Sequence, residues 1–79
     1  MRKKLTLEQT LEELGINLYI YRMGRRLSRE RVADAIGISP ATVAKAENGR
    51  WPHLPLFIVY ELCYYYGLPT MAAFEFCGP

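Results

Sequence analysis

Residue types suited to acid–base, nucleophilic or metal chemistry are thinly spread in this chain. Its one histidine, His53, lies between Pro52 and Leu54 with no neighbour suited to act as ligand or base. Cys63 and Cys77 lack the paired spacing of metal ligands, and no glycine-rich phosphate loop is present. These gaps argue against an enzyme and imply no metal and no cofactor. Positive charge is what the sequence does concentrate. Over residues 22–50, seven basic side chains (Arg22, Arg25, Arg26, Arg29, Arg31, Lys45, Arg50) face three acids (Glu30, Asp34, Glu47), a local balance of +4 in a chain of net charge +2. A basic middle is the footprint expected for a polyanion partner, although an ordinary solvated face would carry the same charges.

The elements that must position these charges read as short helices. Thr6 caps a first one, Gln9 completes a capping box, and Gly15 is expected to end it. A second segment follows from about Asn17 to Gly24, with Leu18, Tyr21 and Met23 as its inward candidates; two helices or one kinked helix fit equally. Ser28 caps a third, which places Val32, Ala33 and Ile36 on one side, and Gly37 ends it. Ser39 and Pro40 open a fourth that runs to Glu47, closed by Asn48 and Gly49. A fifth spans roughly Pro55 to Tyr66, and a short last one reaches Phe74. The fold class is therefore all-α, a compact bundle of five to six short helices. Residues 1–15 read as an N-terminal extension helix packed on a domain of residues 16–79.

Residues 27–49 are the most informative stretch. Ala33 is small where two helices cross closely, and Gly37 permits the positive φ of a tight turn. Ile38 plugs the corner, and Val43 packs back on Ile36 and Val32. Two short helices joined this way form a helix-turn-helix. With Arg22, Leu27-Ser28 and the ending Glu47-Asn48-Gly49, the segment resembles the lambda-repressor and Cro type of helix-turn-helix domain, the XRE-like family. The likeness spans roughly residues 16–74 and is strongest over residues 22–49.

That resemblance implies a buried, structural ion pair between Arg22 and Glu47. It also implies double-stranded DNA as partner, with residues 40–47 as the recognition helix in the major groove. Ser28 would present the N-terminus of its helix to a phosphate, and Arg29 would reach the backbone or a base edge. Ser39, Pro40, Ala41, Thr42, Ala44 and Lys45 would line the groove side, with Asn48 and Arg50 at the flanking phosphates. The chain departs from the family at Pro40, Ala41 and Ala44, where hydrogen-bonding side chains are common. Direct readout would then rest on Thr42, Lys45 and Arg29, with Lys45 on guanine as the sharpest contact.

Arg25 and Arg26 read equally as phosphate contacts or as a solvated turn. Trp51 reads either as a sugar–phosphate contact or as core or loop packing. The fifth helix is apolar almost all round, so its second side needs a cover. The cover is either the Leu7, Leu11, Leu14 stripe or a second copy; the dimer candidates are Tyr60, Tyr64, Tyr65 and Phe74. The resulting expectation is a transcriptional regulator, a repressor acting as a homodimer. The alternative is a protein-interaction module, an antirepressor or antitoxin-like partner on the same fold. Cysteine usage fits a reducing cytoplasm. Residues 1–4 lead into polar Thr6, Glu8 and Gln9 rather than into a leader, and no stretch reads as membrane-spanning.

Overall fold

Thr6 starts the first helix by a reciprocal capping box, its hydroxyl accepting from the Gln9 N–H at 3.1 Å while Gln9 Oε1 accepts from the Thr6 N–H at 2.9 Å. The computed structural model describes residues 4–75. From this cap, α1 runs unbroken over Leu7–Gly24. Gly15 does not end the helix; it lies mid-helix and buried. An interior glycine costs about 1 kcal/mol relative to alanine, too little to break a helix held by packing on both sides. The two expected N-terminal segments are thus one, and the described residues hold four α-helices and a 3₁₀ turn in place of five to six helices.

The chain leaves α1 through Arg26, in the left-handed region at φ 55°. It then enters α2, Arg29–Ile36, whose N-cap Ser28 accepts from the Arg31 N–H at 3.1 Å. Gly37, at φ 79°, makes the tight turn, and the N–H groups of Gly37 and Ile38 both reach the Ala33 carbonyl. Ser39 caps α3, Pro40–Glu47, with Pro40 in its first turn. A loop over residues 48–55 leads to α4, Leu56–Tyr65, which gives way at Gly67 to a 3₁₀ turn, α5, Thr70–Phe74.

Leu14, Leu18, Val32, Ala33, Val43, Ala46, Val59, Leu62, Cys63 and Tyr66 form one core cluster. Here α2 packs on α3, α1 on α3 and α5, and α4 on α2 and α5. Polar contacts tie the C-terminal turn to α1: Asn17 Nδ2 donates to the Ala73 carbonyl at 2.8 Å, and the Tyr21 hydroxyl to that of Ala72 at 2.7 Å. Burial holds the Tyr21 and Tyr66 hydroxyls and the Cys63 thiol above their ordinary pKa values.

Three expectations about side-chain placement change. Met23 faces out, 49% exposed. Arg25 is a structural residue: its Nε donates to the Tyr66 carbonyl at 2.8 Å, placing a cation at the C-terminus of α4. The leucines of α1 do not cover the second side of α4. The N-terminal half of α1 lies instead against the end of α3, where Gly15 meets Glu47 and Gly49 meets Glu12.

Candidate nucleic-acid interface

Helix α3 divides cleanly by burial. Val43, Ala46 and Glu47 point into the protein. Pro40, Ala41 and Lys45 are exposed, and Thr42 and Ala44 are half-buried at the margin. The outward side is therefore mostly small and apolar, with one cation at its C-terminal end. Ser39 Oγ accepts from the Thr42 N–H at 3.1 Å and lies 2.8 Å from the Thr42 hydroxyl, so both hydroxyls are already engaged with each other. Asn48 and Arg50 are exposed just past the helix.

Behind this surface lies a charged anchor. Arg22 Nε donates to Glu47 Oε2 at 2.7 Å, and Arg22 Nη2 to Oε1 at 3.1 Å. The third guanidinium contact, from Nη1, reaches the Leu27 carbonyl at 2.7 Å. Both side chains are buried. The Glu47 hydrogen bond holds the Arg22 guanidinium above its ordinary value against the opposing effect of desolvation. A side chain that sequence reasoning assigned wholly to the outer surface joins them: Arg29 Nε donates to Glu47 Oε1 at 3.1 Å, with its side chain 38% exposed. One carboxylate thus accepts from α1 and from the first residue of α2.

The N-terminus of α2 borders an open depression of about 490 Å³, lined by Tyr19, Arg22, Met23, Ser28, Arg29 and Glu30. At the other end of the surface, Lys45 Nζ sits 4.4 Å from the centre of the Trp51 ring. Trp51 itself is half-buried against the core. No sequence signal marked the Lys45–Trp51 contact, because the partners lie six positions apart across a helix end and share no helical period. Phe74, a dimer candidate, packs against the core. Tyr60, Tyr64 and Tyr65 stay exposed on α4, with the Tyr60 and Tyr64 rings 6.0 Å apart. Among the described residues no group of His, Cys, Asp or Glu is arranged to hold a metal ion, and no helix is long and apolar enough to cross a membrane.

The family model described as a helix-turn-helix domain matches residues 13–74. No curated protein matches the chain at a significant level. Among solved structures, the hypothetical transcription factor NHTF from Neisseria superposes with a TM-score of 0.78 at 22% identity, over 98% of this chain and 88% of that one. The clp gene regulator ClgR from Corynebacterium glutamicum gives 0.74 at 21% identity, over 90% of this chain and 71% of that one. HppE, solved with cobalt and substrate, gives 0.73 at 23% identity; the match takes in 84% of this chain but only 36% of HppE. At these identities the likeness is one of fold.

Proposed function

We infer from one premise, that this chain belongs to the helix-turn-helix domain family, that it is a sequence-specific DNA-binding transcriptional regulator. The observation that carries the reading is the outward side of α3. Pro40, Ala41 and Lys45 stand clear of the core, and small residues there let a helix seat deeply in a major groove. The depression at the N-terminus of α2 suits a backbone phosphate, with Ser28 and Arg29 at its edge. Asn48 and Arg50 take the flanking phosphates. NHTF, a hypothetical transcription factor, and ClgR, a clp gene regulator, are consistent with this use of the fold. The regulator acts as a repressor in the cytoplasm by occupying an operator and excluding polymerase.

A fluorescence-polarisation titration of the full chain against a random duplex pool, at low and physiological salt, tests the reading. Affinity that falls steeply with salt, together with enrichment of one sequence, is the expected result. Lys45→Ala should remove the preference at one base position, worth about 1–3 kcal/mol, whereas Arg29→Ala should weaken all sequences alike. Absence of binding at low salt would overturn the reading.

The exposed side of α4 supports a homodimer on an inverted repeat. Phe57, Tyr60 and Tyr64 are 64%, 47% and 71% exposed, and a row of aromatic rings fits the centre of a protein interface. Tyr64→Glu should convert a dimer to a monomer in sedimentation while the far-ultraviolet circular dichroism stays unchanged. A variant that sediments as the wild type would rule α4 out as the interface. The same aromatic side favours the second reading, a protein-interaction module; a stable protein partner masking Arg29 and Lys45 would establish it in place of DNA.

A further inference from the structure

We propose that Trp51 is a specificity-determining positioning residue, whose ring holds the Lys45 ammonium ready to read a base; this rests on the DNA-binding reading above. Lysine is a compact point charge on a flexible stem. Left unrestrained beside a duplex, it settles on whichever phosphate is nearest, and a phosphate contact carries no sequence information. On this helix the loss would be large, since Pro40, Ala41 and Ala44 bring no hydrogen-bonding side chain and the Thr42 hydroxyl is engaged with Ser39.

Trp51 has the geometry to prevent that loss. The Lys45 Nζ lies 4.4 Å from its ring centre, inside the range of a cation–π attraction. The ring is not itself free to swing. It is packed against the core, and the Trp51 carbonyl accepts from the Leu54 N–H at 3.0 Å, which closes the loop behind it. A fixed ring face therefore restrains a mobile cation at the exposed end of α3. The ordering cost of Lys45 is met in folding rather than on DNA. The indole face is the specificity device; Trp51 need not touch DNA.

The test uses the full chain and the duplex it selects from a random pool, with single-position variants of that duplex. Trp51→Leu should reduce the base preference at the Lys45 position by about two- to five-fold while leaving the preference at other positions intact. Trp51→Phe, which keeps a ring face, should retain more of that preference than leucine does. In a Lys45→Ala background Trp51→Leu should change the preference no further, since a positioning residue acts only through its partner. Parallel weakening on every duplex, or an intact preference, would overturn the proposal while leaving DNA binding standing. If Lys45→Ala itself leaves the selected sequence unchanged, both the Lys45 contact and the role of Trp51 fall. Should the leucine variant fail to fold, nuclear magnetic resonance of the free wild-type protein decides. The Lys45 ε-methylene protons should be shifted upfield by the ring current and move back in Trp51→Phe only in part. Unshifted protons in the wild type would overturn the proposal.

Discussion

Replacing Glu47 by alanine is expected to lower the unfolding free energy by about 3–5 kcal/mol, because it strands a buried cation. That is a large share of the roughly 5–15 kcal/mol that holds a small domain folded. Glu47 accepts from Arg22 Nε and Nη2 and from Arg29 Nε. Arg29, 38% exposed, can turn to water when its acceptor is gone; the buried Arg22 cannot. Glu47→Gln should also destabilise, since an amide offers one acceptor oxygen and turns its NH₂ group toward a guanidinium that only donates. The double variant Arg22→Met with Glu47→Leu should lose less than Glu47→Ala alone, because it removes both charges and refills the site with apolar volume. Its remaining cost is the Leu27 carbonyl, which loses the Arg22 Nη1 donor. Urea unfolding followed by circular dichroism measures all three. A Glu47→Ala midpoint equal to that of the wild type would mean that the carboxylate contributes no net stability. The expected loss would also uncouple α3 from α1 and α2, so a domain that still folds should bind DNA less tightly.

How far the sequence shows this architecture depends on the range over which each cause acts. The Thr6–Gln9 box, the Ser28 and Ser39 caps, Pro40 and the left-handed Gly37 are legible because a cap or a turn is settled within four residues. The division of α3 into inward Val43 and Ala46 and outward Pro40, Ala41 and Lys45 follows from helical period. Contacts between distant side chains leave no such mark. Arg22 and Glu47 are 25 positions apart, and only the family pattern pointed to them. Nothing in the residue pattern joined Arg29 to Glu47, Lys45 to Trp51, or Arg25 to the end of α4. Met23 faces out although it is apolar, because α1 reaches α3 and α5 through its other side. The count of helices changed for a related reason. Gly15 carries the residue type of a helix stop, but its surroundings, not its type, decide what it does.

Those surroundings give the second large effect, and one of opposite sign to local expectation. In a helix interior alanine is favoured over glycine by about 1 kcal/mol, so propensity alone says that Gly15→Ala stabilises the protein. The structure says otherwise. A Cβ at residue 15 would run into the backbone carbonyl of Glu47 and lie 3.1 Å from the Ala46 carbonyl oxygen. Neither atom is the end of a flexible side chain, and Glu47 is held by two arginines, so the last turn of α3 cannot shift without disturbing the buried ion pair. Gly15→Ala is therefore expected to destabilise by about 1–3 kcal/mol net, as overpacking does in a tight interior. For a domain of this size that lowers Tm by roughly 4–24 °C. Gly24, near the end of the same helix, is the control. Beyond the chain neighbours and the helix's own backbone, no atom lies within 4 Å of a Cβ built there, so Gly24→Ala should leave Tm unchanged or raise it. Thermal melts of the two variants separate the causes. If both rise, propensity governs and the α1–α3 contact is loose enough to take a methyl group. If only Gly15→Ala falls, the closeness of α1 to the end of α3 is what residue 15 secures, and with it the position of Glu47 behind the outward side of α3.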